Sequence, residues 1–308
     1  MESATEFLLR SQNADGGWGY RVLGTSYVEP TAAVLLALKD ADARNRSPSV
    51  SLRVNSAEGR ARDFLLSMQH VDGGWGIGAL DAESGWMTAW AVRALVRFAD
   101  ARAVVARGAK WLIDTEGLRV TDEPARATIR KRLQIDSTLR GWPWQPGDAA
   151  WVHPTSLAIL ALRHASRQGR LVGSSKEFIL SEVEGRVRDG IAYLFDRAVA
   201  SGGWNIGNPE MLDKHMPATI QDTAVALLAL HAAGESASEA RVVKAIQFLR
   251  EATERAQTAA ELAWGIYALR DRGIDVGDAI ARLNKLQDAD GSWRANPFIT
   301  ATALKAEG

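Results

Sequence analysis

The stretch SQNADGGWGY at residues 11–20 decides the fold, because its order of Gln, Asp-Gly and Trp returns along the chain. MQHVDGGWGI at 68–77 repeats the order, and LQDADGSW at 286–293 repeats it with Ser in place of the second Gly. Two weaker copies, LRGWPWQPGDAAW at 139–151 and ASGGWNIGN at 200–208, keep the Gly and the Trp. Self-similarity of this kind predicts a fold built from repeated units.

Composition limits the kind of protein that these repeats build. The chain has 308 residues, of which 46% are hydrophobic and 24% charged, as in ordinary globular proteins. Lys plus Arg and Asp plus Glu both number 37, so the basic surplus that nucleic-acid binding needs is missing. There is no Cys, which excludes disulfides and thiolate metal ligands. The N-terminus lacks a signal-peptide pattern and no apolar run reaches about 18 residues, so we predict a cytoplasmic protein.

A run rich in Ala and Leu follows each motif. The runs are apolar on nearly every side, which predicts helices that are buried almost completely. One further run lies between the fourth and fifth copies of the motif and marks a unit that has lost it. The six runs are PTAAVLLAL at 30–38, MTAWAVRAL at 87–95, PTSLAILAL at 154–162, DTAVALLAL at 222–230, AELAWGIYAL at 260–269 and ITATAL at 299–304.

A charged segment with one apolar stripe precedes each motif or run. Such segments bury one face only, so they form an outer helical layer around the inner runs. We predict outer helices near 2–12, 55–69, 101–115, 176–199, 237–253 and 276–288. The sequence therefore predicts an all-α fold, an α6/α6 toroid in which six inner and six outer helices form one domain over residues 1–308.

The repeated Gln, Gly and Trp are interpreted as structural. The Gln ends an outer helix, Asp-Gly-Gly makes a turn where Gly adopts positive φ at little cost, and the Trp plugs the end of the helix pair. The Trp is expected to meet the Gln amide and so to tie one unit to the next. An active site needs one set of catalytic groups, whereas a structural contact between helices is needed in every helix pair. The repetition of the motif therefore favours a structural role.

The motifs at 12–18, 69–75 and 287–293 resemble the QW motifs of squalene-hopene and oxidosqualene cyclases. The inner runs are similar to those of the same cyclases and of protein prenyltransferase β subunits. The chain is thus identified as a divergent, single-barrel member of the terpenoid cyclase and protein prenyltransferase superfamily. The resemblance implies an α/α barrel and an isoprenoid or other apolar small molecule as its partner.

The resemblance also implies where an acid should lie. The cyclases carry Asp-x-Asp-Asp-Thr-Ala at the start of an inner helix, and the middle Asp protonates an alkene or epoxide. The matching stretch here is TIQDTA at 219–224, in which Asp222 is the acid that remains and Gln221 takes the place of the proton donor. Prenyltransferase β subunits bind zinc through Asp, Cys and His. That set is incomplete without Cys, so we predict no metal and no cofactor, although carboxylates and His alone could still bind zinc.

The starts of the inner runs align, and this alignment gives the candidate catalytic residues. Glu29 in VEPT, His153 in VHPT and the pair Gln221-Asp222 in IQDT are expected to ring one mouth of the barrel. Asp222 is the first candidate for the acid, with Glu29 as its partner or replacement, and Gln221 would contact the substrate. The alternative is that Glu29, His153 and Asp222 only cap helix starts, where acids favour the helix dipole.

Four aromatic residues of the inner runs are candidates for substrate binding: Trp86, Trp90, Trp264 and Tyr267. Spacings of four and three put each pair on one face of a helix. Facing inward, they would line an apolar cavity that suits an isoprenoid and stabilises carbocations. Facing sideways, they are core. The insert DEPARATIRKRLQIDSTLR at 122–140 would be either a lid over this cavity or a surface loop.

Three functions remain open from the sequence. The first is an isoprenoid-processing enzyme, either terpene cyclase-like (an isomerase or lyase) or prenyltransferase-like, with a degenerate acid motif. The second is a toroid that binds a lipid or isoprenoid without catalysis. The third is a scaffold for protein interactions. The expected partner is an apolar small molecule and not nucleic acid, and peripheral membrane contact and a protein partner stay open.

Overall fold

The computed structural model describes residues 3–44, 48–169, 176–211 and 213–307. These residues form thirteen helices and one short β-hairpin. The outer helices are α1 (Ala4–Arg10), α3 (Pro48–Ser67), α5 (Arg102–Asp114), α8 (Lys176–Asp196), α10 (Ala240–Arg255) and α12 (Gly277–Lys285). The inner helices are α2 (Val28–Arg44), α4 (Met87–Leu95), α7 (Val152–Arg167), α9 (Ile220–Ala233), α11 (Ala259–Asp271) and α13 (Pro297–Glu307).

Two further elements lie outside the six pairs. Helix α6 (Glu123–Leu133) is the insert before the third inner helix, and none of its side chains is buried. Strands β1 (Glu210–Met211) and β2 (Lys214–His215) pair antiparallel in the connection that leads to α9. Helix α6 packs against β1, so the two additions support each other.

The inner helices form a closed ring. Helix α2 packs on α4, α4 on α7, α7 on α9, α9 on α11, α11 on α13, and α13 returns to α2. The outer helices pack on the outside of this ring: α3 on α2, α5 on α4, α8 on α7, α10 on α9, α12 on α11 and α1 on α13. The predicted all-α class and α6/α6 toroid are therefore confirmed.

Small apolar residues let the inner helices pack closely. All nine residues of α4 are buried, and so is every residue from Thr223 to Leu230 in α9. Alanine recurs through these runs, and its short side chain permits close backbone approach while favouring helix. The outer helices bury one stripe only, for example Val242, Ala245 and Leu249 in α10. The hydrophobic core therefore lies largely between the inner and the outer layer of helices.

Five tryptophans join the layers by the same pair of hydrogen bonds. Each is buried, donates its backbone N–H to a Thr hydroxyl on the following inner helix, and donates its indole N–H to a Leu carbonyl near the end of an outer helix. The Thr bonds are Trp18 to Thr31, Trp75 to Thr88, Trp142 to Thr155 and Trp204 to Thr223 at 2.9 Å, and Trp293 to Thr300 at 3.1 Å. The Leu acceptors are Leu8, Leu65, Leu112, Leu194 and Leu283, at 2.6–2.9 Å.

The glutamine of the motif bonds to backbone and not to the Trp ring. Gln12 Nε2 donates to the Gly16 carbonyl at 2.8 Å and to the Ala57 carbonyl of α3 at 2.9 Å. Gln69 makes the same two kinds of bond, and the second reaches α5. The expected link between units therefore exists, but it joins the turn to the next outer helix. Gly16 has φ +88°, and a Cβ there would stand 2.5 Å from the Arg60 carbonyl oxygen, so this turn requires glycine.

No helix in the described part of the chain is both long and apolar enough to cross a membrane.

Replacing Trp75 by Ala should lower the free energy of unfolding by about 3–5 kcal/mol, because a large cavity opens and two hydrogen bonds are lost. Urea unfolding measures the change. Trp111→Ala is the matched control, since Trp111 is only half-buried on the outer helix α5. Equal losses for the two variants would contradict the structural role of Trp75, as would an unchanged melting temperature.

Candidate functional site

The N-terminal ends of the inner helices surround a cavity of about 550 Å³, here called the mouth cavity. All six inner helices contribute to it at their N-terminal ends. In five of them a Trp–Thr bond holds the first turn, and α11 is the exception. Its lining residues are Glu29, Trp86, Trp144, His153, Ile206, Thr219, Ile220, Gln221, Asp222, Glu261 and Phe298. The structure thus brings together five of the residues predicted for the site: Glu29, Trp86, His153, Gln221 and Asp222.

Glu29 is the most deeply buried carboxyl of the mouth cavity, with 9% of its surface exposed. The Tyr20 hydroxyl donates a hydrogen bond to Glu29 Oε2. Burial raises the pKa of Glu29, while the Tyr20 bond and then the nearby His153 and Trp90 act in the opposite direction. Burial is the largest of these effects. Glu29 therefore keeps its proton to higher pH than an exposed glutamate does.

Tyr20 is a site residue that the sequence reasoning missed. It lies in the connection from Trp18 to α2, and its ring lies 5.6 Å from Tyr27 and 6.0 Å from Phe298 between centroids. Burial, followed by the charge of Glu29, raises the pKa of the Tyr20 hydroxyl, so the group stays protonated and acts as a donor. The signal available in the sequence was its place two residues after Trp18, in the first motif copy.

Asp222 is the third residue of α9 and is bonded to Thr219, the N-cap residue of that helix. Its backbone N–H donates to Thr219 Oγ1 at 3.1 Å, and the Thr219 hydroxyl donates back to Asp222 Oδ2 at 2.8 Å. This exchange closes the first turn of α9 in the way that capping residues do. The other carboxylate oxygen, Oδ1, lies 3.7 Å from His153 Nδ1, and the Asp222 side chain is 16% exposed. Asp222 is more exposed than Glu29 and is already held by its own helix.

His153 belongs to an aromatic wall of the mouth cavity. Its ring, which is 3% exposed, stacks on Trp144 at 5.5 Å and 18°, and meets the edge of Trp86 at 5.7 Å. Trp86 and Trp144 are perpendicular at 4.7 Å, an arrangement that aromatic rings prefer. Trp144 was not predicted, although the second Trp of LRGWPWQPGDAAW was visible in the sequence. Glu261 was also missed; it caps α11 through Thr258, as Asp222 caps α9.

Three of the predicted aromatic residues do not line the mouth cavity. Trp90, Trp264 and Tyr267 line a second space of about 30 Å³, here called the inner pocket, with Arg93, Lys305 and Thr302 among the other lining residues. Trp90 lies close to both spaces: it lines the inner pocket, and its ring lies 6.1 Å from that of Phe298, which lines the mouth cavity. These three residues therefore line a different space from Trp86, and their role in substrate binding stays a prediction. They lie at least one helical turn farther from the mouth than Trp86.

The insert does not cover the mouth cavity, since no residue of α6 lines it. Among the described residues there is also no group of three His, Asp or Glu side chains placed to hold a metal ion. Gln221 is exposed at the rim. The mouth cavity combines a buried acid, a capped carboxylate beside a histidine, and an aromatic wall.

The N-terminal part of the chain matches a known family. The family model described as squalene-hopene cyclase C-terminal domain matches residues 1–128. The squalene–hopene cyclase of Bradyrhizobium diazoefficiens is 33% identical over 122 residues. That match covers 36% of this chain and 17% of the relative, so the chain spans only a small part of the cyclase's length.

Solved structures share the fold over nearly the whole chain. A variant of the type II terpene cyclase MstE from Scytonema, in complex with its substrate geranylgeranyl dihydroxybenzoate, has a TM-score of 0.60 at 14% identity, covering 98% of this chain and 94% of that one. An inactive variant of an alpha-1,6-mannanase of Salegentibacter has a TM-score of 0.63 at 10% identity and covers 99% and 98%. The second likeness shows that the barrel alone does not indicate the reaction. The match at residues 1–128 makes the N-terminal part of the chain similar to the C-terminal domain of squalene–hopene cyclases, and the fold over the whole chain agrees with this likeness.

Proposed function

We propose that the protein is an isoprenoid-processing enzyme of the terpene cyclase type, in which Glu29 protonates an apolar substrate bound in the mouth cavity. The observation that carries the proposal is a buried carboxyl whose pKa burial raises, held by Tyr20 among aromatic rings. Such a carboxyl supplies a proton at a pH where exposed carboxyls have lost theirs.

The position of Glu29 in its helix supports its choice as the acid. Glu29 precedes Thr31 by two residues, and Gln221, where the cyclases carry the proton donor, precedes Thr223 by two. Thr31 and Thr223 accept equivalent bonds from Trp18 and Trp204. Helices α2 and α9 stand opposite each other in the ring, three helices apart in either direction. The proposed acid thus lies at the level of the cyclase donor, on the facing wall.

The proposed step is redox-neutral. The O–H bond of Glu29 breaks as a C–H bond forms at one alkene carbon, and positive charge appears on the neighbouring carbon. The Tyr20 hydroxyl stabilises the resulting carboxylate, and the faces of Trp86, Trp144 and Phe298 stabilise the cation while a second double bond closes the ring. Loss of a proton to His153 then gives a neutral alkene. Solvent at the mouth takes this proton from His153 and returns one to Glu29, so both groups regain their starting protonation state.

The charges around the mouth cavity favour a neutral isoprenoid over a diphosphate. Three carboxyl groups line the cavity, and none of its lining residues is Lys or Arg. A diphosphate group would meet repulsion from Asp222 and Glu261 without a compensating cation. The relatives named squalene–hopene cyclase agree with this substrate class, although they share only a segment with this chain.

A toroid that binds isoprenoids without turnover is the second candidate. It is favoured by the amide at position 221 and by the capping bonds that occupy Asp222. The third function, a scaffold, draws support from apolar side chains that are exposed on connections between outer and inner helices, such as Leu23 and Leu80. Product analysis separates these functions.

Purified protein incubated with squalene, farnesyl diphosphate or geranylgeranyl diphosphate should convert squalene to a cyclic isomer, detected by mass spectrometry of extracts. Glu29→Gln should reduce turnover by about 100-fold or more, because the proton is lost. Asp222→Asn is the matched control and should retain turnover within about tenfold. Loss of turnover in Asp222→Asn alone would reassign the acid to Asp222. Retained isoprenoid binding without turnover of any substrate would favour the binding toroid.

The free energy of unfolding should reveal the raised pKa of Glu29 independently of activity. In the unfolded chain Glu29 ionises near the ordinary glutamate pKa of 4.5, whereas in the folded protein it does so at higher pH. Stability should therefore fall as pH rises from about 4.5 through the folded pKa. Glu29→Gln lacks this loss, so its stability relative to the parent should increase between pH 5 and pH 8.

Urea unfolding of both proteins at several pH values measures this difference. Tyr20→Phe removes a bond that lowers the pKa of Glu29, so in this variant the fall in stability should continue to higher pH. A stability difference between parent and Glu29→Gln that does not change with pH would contradict the raised pKa.

A further inference from the structure

We propose that the inner pocket binds a small monovalent anion, of the size of chloride, on the guanidinium of Arg93. Arg93 lies in the last turn of α4, lines the inner pocket and is 5% exposed. The pocket is distinct from the mouth cavity, and the proposal does not depend on the function assigned to that cavity.

Arg93 is buried, and no carboxylate or carbonyl of the described residues pairs with it. Its Nε makes no hydrogen bond within the described residues, and no ion pair or backbone acceptor is found for it there. Its contacts are the face of Trp90, with Cζ 5.2 Å from the ring centroid, and the Tyr267 hydroxyl. Burial lowers the pKa of Arg93, but a guanidinium stays charged in proteins. A buried charge is costly unless it is paired, so this site lacks a negative charge.

Three other arginines that are buried or half-buried differ from Arg93 because each has an oxygen partner. Arg97 pairs with Glu58, Arg186 donates to the Ile113 and Thr115 carbonyls, and Arg272 donates to the Leu227 carbonyl. Each of these guanidinium groups therefore has an oxygen partner from the protein. Within the described residues Arg93 has only a hydroxyl and an aromatic face as partners, and its buried Nε has no acceptor beside the pocket that the residue lines.

The surroundings of the inner pocket are positive. Lys305 lines it, with Nζ 5.5 Å from the Tyr267 ring centroid. Burial first, and then the charges of Arg93, Arg167, Lys305 and Lys39, lower the pKa of the nearby His164 to about 3. None of the pocket's lining residues is an acid. Asp271, the acid whose charge acts on Arg93, already pairs with His231.

The volume of the inner pocket selects the size of the anion. The space is about 30 Å³, and a water molecule requires about 10–15 Å³ measured in this way. A halide therefore fits, whereas sulfate, phosphate and the head group of a diphosphate do not. Trp90 and Trp264 supply apolar walls, and an ion that is less strongly hydrated, such as chloride or bromide, suits this environment.

Thermal unfolding in sodium chloride and in sodium gluconate of equal ionic strength tests the proposal. Gluconate is too large for the pocket, so the melting temperature of the parent should be about 2 °C or more higher in chloride at tenfold excess over the dissociation constant. Arg93→Met should give equal melting temperatures in the two salts. Arg270→Met is the matched control and should keep the chloride response, since Arg270 donates to the Ala306 carbonyl.

Equal melting temperatures of the parent in both salts would overturn the proposal, as would a chloride response that survives in Arg93→Met. Crystals of the parent soaked in sodium bromide provide a test that requires no variant. An anomalous bromide peak beside the Arg93 guanidinium is the expected result. Density for water alone at that position would overturn the proposal.

Discussion

A tryptophan that donates hydrogen bonds to two helices at once is the interaction on which the rest of this structure depends. Its backbone N–H binds the Thr hydroxyl of an inner helix, and its indole N–H binds a carbonyl at the end of an outer helix. Both bonds are buried, so breaking either would leave an unpaired polar group away from water. Because the bond to Thr fixes the first turn of each inner helix, five of the six inner helices start at a common level. The sixth inner helix, α11, is not preceded by a Trp of the repeated motif. It is held by its capping box and by its neighbouring helices.

This common level creates the site. The residue two positions before each bonded Thr projects into the mouth cavity, which is why Glu29, Trp86, His153, Gln221 and Phe298 line it together. Changing the chemistry of the mouth thus requires only a substitution at one of these positions, with no change in the struts. The proposed acid on α2, in place of the acid that the cyclases carry at the position of Gln221 on α9, would be such a change, because the ring presents equivalent positions on facing walls. The repeat therefore separates the parts of the chain that build the barrel from those that determine its chemistry.

The sequence predicted the helices and the mouth residues because both depend on local spacing. The pattern of apolar residues separated inner from outer helices. The position two residues before the Thr of each inner helix predicted which side chains lie at the same level of the barrel. Depth along the barrel was not predictable in the same way: a spacing of four puts Trp90 on the face of Trp86 but one turn farther inside, where it lines the inner pocket. Tyr20 and Trp144 were missed because they lie in connections, whose path depends on tertiary contacts. The proton affinity of Glu29 was equally hidden, since it depends on burial by residues that are distant in sequence.

The position of Trp90 affects how a ligand would enter and leave the barrel. Its ring contacts Phe298, which lines the mouth cavity, and the Arg93 guanidinium, which lines the inner pocket. The proposed ligand therefore enters and leaves the mouth cavity at the N-terminal ends of the inner helices. For an apolar molecule, departure into water exposes surface that the cavity had covered, so the residence time rises with each additional carbon that the cavity accommodates.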